Sequence, residues 1–541
     1  MRDRWVLPLP VVLLALVVPV AAASAAWQGY LFEDLPNRIF LGFRFMAGDH
    51  YQYAAFIRQA QDGGGLLMRN PFASEPQAGV FVLPIFWAMG KLARLTGGSI
   101  VLWWEIFRIV GGALYILAFW SLSSLYFRSV RHRTLATALF CLGGGLDWII
   151  QTLNSAGVHN LHKLLYPSQF HWNWSTFGSM LMPNWIWPAL ILTVAVRLAC
   201  GPGLRRDLLL LGLMPLLWFA HPYSAMVGYL MFALLPLAPL LIAAAGRSPM
   251  PWGRLGANLR VALPALLSFA LVVPYLLWAR TDLVFRLCSE RGMQWTDTFS
   301  PWWYLLTYGL LLPLAWFGAR VLVKEASLQG ELLLSWLAAA VILSVNPFYA
   351  GVKFQYLVFP PLAVLAMRGL LELHARSALV RRLATSRAAV AGLAAVLCLN
   401  AMLIPIKDLA DTPKDATIFA TSGELAAMKW LDGQPDGVVL CAHRAGNRIP
   451  WLSGKAVFVG HWFLTPDRDA KQKKARMFFS QRVPLPARLA VLQESRARYV
   501  YVGPDEGSGG FAPAGLPLNR MYQSGQYTIY QVSAPEPMPR Q

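Results

Sequence analysis

VFVLPIFWAMGKLARLTGGSIVLWWEIFRIVGG, residues 80–112, holds two apolar runs joined by a Gly-Gly turn. Whether the first run crosses a membrane sets the sidedness of everything after it. The run 80–95 is short and ends in Lys91 and Arg94. If it spanned, the basic loop RSVRHR (128–133) would fall outside. Read as a helix lying on the outer surface, it places every later basic loop in the cytoplasm, where Lys and Arg concentrate in helical membrane proteins.

The rest of the chain supports a membrane protein. Of 541 residues, 56% are hydrophobic and 14% charged, against about 25% charged in soluble domains. Apolar runs near the length of a bilayer-crossing helix recur through the first 406 positions. Arg2 and Arg4 precede the first run and keep the N-terminus inside. AAASAA (21–26) also reads as a signal-peptidase site, but a retained first span gives the better loop parity. Spans are expected at 5–26, 98–126, 134–150, 178–198, 207–220, 222–245, 261–279, 302–322, 331–346, 354–373 and 388–406, about eleven in all. The total is odd, so everything after 406 is expected outside.

The net charge of +20, from 47 Lys and Arg against 27 Asp and Glu, raises nucleic acid as a partner. The basic residues instead cluster in loops, as at Arg205 and Arg206 or Arg376, Arg381, Arg382 and Arg387. No basic-aromatic module accompanies them, so nucleic-acid binding is excluded as a reading. The five cysteines show neither CxxC nor metal spacing. A Cys288–Cys441 bridge is conceivable but not favoured.

From 407 the composition turns ordinary. TSGE (421–424) is similar to a capping box opening a helix. Strands are expected at 437–442, 456–460, 497–503 and 527–532, with helices near 468–480 and 486–495. The fold class is thus an α-helical polytopic membrane protein, residues 1–406, with a small C-terminal α/β extracytoplasmic domain, 407–541. Its first outer loop is 27–97, with the interfacial helix at 80–95. The tail carries no GxGxxG, P-loop or Gly-x-Ser-x-Gly.

The outer loops collect the residues able to do chemistry. The first holds Asp34, Asp49, His50, Tyr53, Arg58 and Asn70, and a second, 151–177, holds His159, His162, Tyr166, His171, Trp172 and Asn173. Later loops add Arg280 and Lys353, and Asp147 lies near the outer end of its span. HNLH (159–162) lacks a third ligand at zinc spacing and reads as interfacial packing. His221 before Pro222 reads as a helix break. Asp49 opens AGDHYQYAAFIRQAQ (47–61), in which positions 53, 54, 57 and 60–61 share a helix face. Unpaired N–H groups at a helix start favour a carboxylate, and a positioned carboxylate facing water suits a general base. Capping the helix is the other role open to it.

The plan resembles the class C glycosyltransferases, membrane enzymes that use polyprenyl-phosphate sugars, such as the protein mannosyltransferases and aminoarabinose transferases. DHYQYAAFIRQA (49–60) is similar to that family's Asp-Glu-x-x-Tyr stretch, with Asp49 on the aspartate and Tyr53 on the tyrosine. Residues 80–112 resemble its surface helix, turn and second span bearing an arginine, here Arg108. KFQYLVFPPLAVLAMRGL (353–370) resembles its late span with a basic residue at the outer face, here Lys353. The sequence departs at His50, where many relatives carry a second acid, which puts a paired-carboxylate or metal mechanism in doubt.

The resemblance implies transfer of a hexose or pentose from a polyprenyl-phosphate donor to a lipid, glycan or protein acceptor, with inversion, at the non-cytoplasmic face. It further implies a multi-pass protein of the bacterial inner membrane. Asp49 would be the catalytic base. His50, Tyr53, Arg58, Arg108, Arg280 and Lys353 would bind substrate, the cations stabilising the departing phosphate. No cofactor or resident metal is implied, and the partners are the donor, the acceptor and membrane lipids. A transporter or a lipid or polysaccharide flippase is the main alternative, but transporters place polar residues at mid-membrane, whereas here they gather at outer ends. A polysaccharide polymerase or ligase is the nearer enzymatic rival. Its key arginines usually lie in a large late loop, and the large loop here comes first.

Overall fold

The computed structural model describes residues 7–33, 37–44, 46–146, 148–149, 153, 176–246, 249, 251–293 and 301–533. The chain divides into two compact units. One comprises Met1–Ala25, Glu105–Tyr275 and Met293–Ala410, the other Ala26–Trp104, Leu276–Gly292 and Asp411–Gln541.

The first unit is helical, and each stretch expected to span overlaps at least one helix. Among the described residues four helices are long and apolar enough to cross a membrane: Leu9–Phe32, Ile100–Ser123, Trp252–Ala279 and Leu328–Val345. The number rises to seven if each of three bent pairs is one span. The chain is thus a multi-pass membrane protein. The expected span 222–245 is one such pair, Pro222–Leu234 followed by a helix from Ala238, bent by 56°. The turn Gly351–Leu357 meets Phe359–Arg376 at 46°, where Pro360 and Pro361 remove two backbone donors.

Helices Leu311–Glu325 and Phe359–Arg376 are in backbone contact. A methyl added at Gly318 would lie 1.9 Å from the Leu365 carbonyl, and one at Gly369 would lie 1.8 Å from that of Leu314. Small residues permit this approach where lipid gives helices no hydrophobic reason to associate. In the same unit, Phe119 stacks on Phe140 at 3.8 Å.

The second unit is built on a five-stranded sheet. Its order is Ala456–Val457, Val438–Leu440, Ala497–Val502, Tyr527–Val532, Leu518–Ser524. The first three strands run parallel, and the last two form an antiparallel hairpin on the edge. The hairpin turns at Gly525, whose φ of 57° suits glycine. Helices Arg468–Phe479 and Leu485–Ser495 cover the sheet, burying Phe478, Val491 and Leu492 against Leu440 and Val500.

Residues from the first loop complete this unit. Ile39–Phe40 pairs antiparallel with Phe419–Ala420. Helix Pro84–Thr96 packs on helix Ala47–Gln61 so closely that a methyl at Gly90 would sit 2.3 Å from the Ile57 carbonyl. Thr421 caps helix Ser422–Asp432 by accepting the Glu424 N–H at 3.1 Å. Glu424 does not close the box but turns to Arg448, both oxygens accepting from Nη1 at 2.8 Å. Arg448 also donates to the carbonyls of Thr417 and Phe419, each at 2.8 Å. Tyr51 donates to the same Thr417 carbonyl at 2.7 Å, joining helix Ala47–Gln61 to that segment.

Candidate active site

Helix Ala47–Gln61 starts at Met46, whose left-handed backbone (φ 51°) occupies the cap position without any side-chain cap. Asp49 therefore sits inside the first turn, its N–H already donating to the Met46 carbonyl at 2.8 Å. Its carboxylate is engaged elsewhere. Oδ1 accepts from His461 Nε2 and from Trp462 Nε1, each at 3.1 Å. The Asp49 side chain is 12% exposed and that of His461 1%.

The turn after strand Ala456–Val457 presents these two donors. Gly460 N–H donates to Thr465 Oγ1 at 3.0 Å and Thr465 N–H to the His461 carbonyl at 3.0 Å, closing the turn. His461 Nδ1 accepts the N–H groups of Phe463 and Leu464, both at 3.3 Å. An imidazole nitrogen that accepts carries no proton, so the ring's proton is on Nε2, facing Asp49. His443 Nδ1 donates to the adjacent Gly460 carbonyl at 2.6 Å. Burial and the nearby Arg468 cation hold the His443 imidazole below its usual pKa.

The turn is braced from the first loop. Buried Asn70 donates to the Leu464 carbonyl at 2.7 Å, and Lys471 pairs with Glu75 at 2.6 Å. Ala78 N–H donates to Asp282 at 2.8 Å, tying the loop to the start of helix Leu283–Met293. Cys288 and Cys441 are both buried free thiols. Cys288 Sγ lies 3.5 Å from the Leu464 carbonyl, and burial pushes its pKa up to about 12.

His50 is fully buried, stacked on Phe43 at 5.8 Å and edge-on to Trp104 at 4.8 Å. Tyr53 stacks on Phe86 at 4.5 Å. Arg58 reaches Asp62 at 2.8 Å and Asp432 at 2.5 Å, and these carboxylates hold its pKa above the usual guanidinium value despite burial. Arg280 is exposed in this same unit.

Arg108 and Lys353 belong to the first unit. Arg108 is fully buried, 3.1 Å from Glu105 one turn earlier. Lys353 is half-buried in the turn that carries Tyr356. Tyr356 joins a buried cluster in which the Ser224 hydroxyl lies 2.8 Å from His221 Nδ1 and bonds the Tyr356 hydroxyl. The candidates Asp34, Asp147, His159, His162, Tyr166, His171, Trp172 and Asn173 lie outside the described residues. Among the described residues no three His, Cys, Asp or Glu side chains converge as metal ligands.

His461 and Trp462 did not stand out in the sequence. GHWFL (460–464) follows a strand and mixes His and Trp with apolar residues, a pattern that reads equally well as core. A polar turn at the C-terminal end of a parallel strand is where open α/β sheets place ligands, and that was the available signal.

No family model matches the chain, and no curated protein matches its sequence. Solved structures do. ArnT from Cupriavidus metallidurans, bound to undecaprenyl phosphate, is similar at a TM-score of 0.53 and 14% identity, over 97% of this chain and 99% of that one. The oligosaccharyltransferase AglB from Archaeoglobus fulgidus, in complex with an inhibitory peptide and a dolichol-phosphate, gives 0.52 and 13%, over 96% and 74%. Arabinofuranosyltransferase AftD from Mycobacteria gives 0.52 and 14%, over 96% of this chain and 40% of its own length. The chain shares the fold of these proteins.

Proposed function

We propose that this protein is an integral membrane glycosyltransferase that moves a hexose or pentose from a polyprenyl-phosphate donor to a lipid, glycan or protein acceptor. The site lies on the non-cytoplasmic face of a bacterial inner membrane, with the tail 407–541 on that side. The observation that carries the reading is the Asp49 carboxylate, held at one oxygen by His461 and Trp462 yet partly open to solvent. The fold shared with proteins bound to undecaprenyl phosphate and dolichol-phosphate supports the donor class.

In the reaction the acceptor hydroxyl or amine gives its proton to Asp49 as its oxygen or nitrogen attacks the anomeric carbon. The bond from that carbon to the donor's phosphate oxygen breaks, and its electron pair leaves with the polyprenyl phosphate. One displacement inverts the anomeric centre. Cations stabilise the phosphate as its charge grows, and Arg280, in the unit that holds Asp49, is assigned to it. Arg58 is assigned a bracing role because two carboxylates engage it. His50 and Tyr53 act through the aromatic packing that fixes the helix bearing Asp49.

The test is transfer from a panel of radiolabelled polyprenyl-phosphate sugars by purified protein supplied with total envelope lipid and glycan acceptors. Labelled product of inverted configuration is expected. Retention of configuration would overturn the single displacement, and no transfer from any donor would overturn the class.

A further inference from the structure

The basic cluster at 376–387 belongs to the first unit. From 373 to 406 the chain carries four arginines and no Asp or Glu. Two of them, Arg381 and Arg382, sit on the short helix Ala378–Thr385, which joins Phe359–Arg376 to Arg387–Asp411. Ser377 starts this helix by accepting the Val380 N–H at 3.3 Å, and the Ser386 N–H ends it by donating to the Leu383 carbonyl at 3.0 Å. At helical spacing Leu379, Val380, Leu383 and Ala384 share one side, and Arg381, Arg382 and Thr385 share the other.

Among the described residues nothing covers the apolar side. No residue of the helix is buried, and Leu379 is 66% exposed and Leu383 48%. A helix this short is marginal in water and depends on packing of its apolar side, so a surface outside the chain supplies that packing. The direction of the helix says which surface. It lies at 95° to Arg387–Ala401, which holds most of the apolar run expected to span at 388–406. A helix at right angles to a membrane-crossing neighbour, and at its end, runs along the membrane plane. There its apolar side enters the boundary between acyl chains and headgroups, while arginines stay among the headgroups.

The charges select the headgroup. Arg376 pairs with Glu372, whereas Arg381 gives an N–H to the Ala375 carbonyl at 2.8 Å and keeps its charge uncompensated. Arg382 and Arg387 are exposed and meet no carboxylate among the described residues. We propose that helix Ala378–Thr385 is a docking surface for anionic phospholipid. Leu379 and Leu383 enter the acyl region, and Arg381, Arg382 and Arg387 hold the headgroup phosphate. Bound lipid anchors the start of Arg387–Asp411 at the membrane surface, and this role is independent of the transferase reading.

The test is lipid binding by purified full-length protein in a non-ionic detergent, read by native mass spectrometry. Short-chain phosphatidylglycerol, short-chain phosphatidylcholine and free glycerol phosphate are the probes, and the proteins are wild type, Arg382→Gln/Arg387→Gln and Leu379→Ser/Leu383→Ser. Wild type should prefer phosphatidylglycerol to phosphatidylcholine. The arginine variant should bind phosphatidylglycerol about 25-fold more weakly, about fivefold for each charge removed near a headgroup, with phosphatidylcholine binding unchanged. The leucine variant should bind both lipids at least about tenfold more weakly. All these positions are at the surface, so thermal midpoints in lipid-free detergent should be the same for the three proteins. Equal affinity of wild type for the two lipids, or phosphatidylglycerol binding unchanged in either variant, would overturn the proposal. Displacement of the lipid by glycerol phosphate would also overturn it, since the site would then take a free phosphate.

Discussion

A carboxylate serves as a base only if its lone pairs face the incoming proton, and at Asp49 two ring N–H donors to Oδ1 fix the orientation of the carboxylate. His461 is held in turn by the N–H groups of Phe463 and Leu464, which set its tautomer. His461→Ala should lower transfer by about tenfold, the value of one hydrogen bond to a charged group. His461→Gln, which keeps a donor, should recover part of that loss in the same assay. Glu506 gives a second residue-scale expectation. Burial raises its pKa from 4.5 to about 7, against the opposing pull of the Ala442 and Gly503 N–H groups. Between those values the folded chain keeps a proton that the unfolded chain has lost, so stability contributed below pH 4.5 disappears as pH rises toward 7. The wild-type melting midpoint should therefore fall relative to that of Glu506→Gln across this window. Parallel pH curves for the two proteins would contradict it.

Elements are held by a few buried contacts whose loss is specific. Arg448, 1% exposed, ties Glu424 to the carbonyls of Thr417 and Phe419. Removing one partner of a buried pair costs about 3–5 kcal/mol, so Arg448→Ala should lower the unfolding midpoint of the α/β unit sharply, read by proteolysis of 411–533. Gly369→Val should separate two membrane helices, because its side chain would enter the Leu314 carbonyl, and the yield of folded protein reports this. These elements were unequally legible in sequence. Helices Arg468–Phe479 and Leu485–Ser495 and the strand Ala497–Val502 follow apolar periodicity and were visible. Strand Leu518–Ser524 was not, since LNRMYQS is mostly polar and exposed on its edge. Helix His443–Ser453 was hidden by Pro450 within it. The helix bearing Asp49 could be read locally, whereas the donors to Asp49 lie 412 and 413 residues away in sequence. No local pattern specifies a pairing across that distance.

At the scale of the whole molecule, 13–14% identity with TM-scores of 0.52–0.53 means that the fold persists where sequence matching fails. Hydropathy and the placement of basic loops survive such divergence because the bilayer imposes them. The proposed sidedness has a direct check. Asp505→Cys, at an exposed position, should react with a membrane-impermeant maleimide in osmotically opened but inner-membrane-intact cells. Labelling only after the inner membrane is permeabilised would place the tail in the cytoplasm. The central claim, that Asp49 takes the acceptor's proton, is tested most directly by comparing transfer by wild type and Asp49→Asn at equal protein level, with the donor sugar found active. The account expects a fall of at least about a hundredfold, the usual worth of a positioned base, with donor binding retained. Transfer within a few-fold of wild type would contradict it and leave Asp49 a purely structural anchor for the turn at His461.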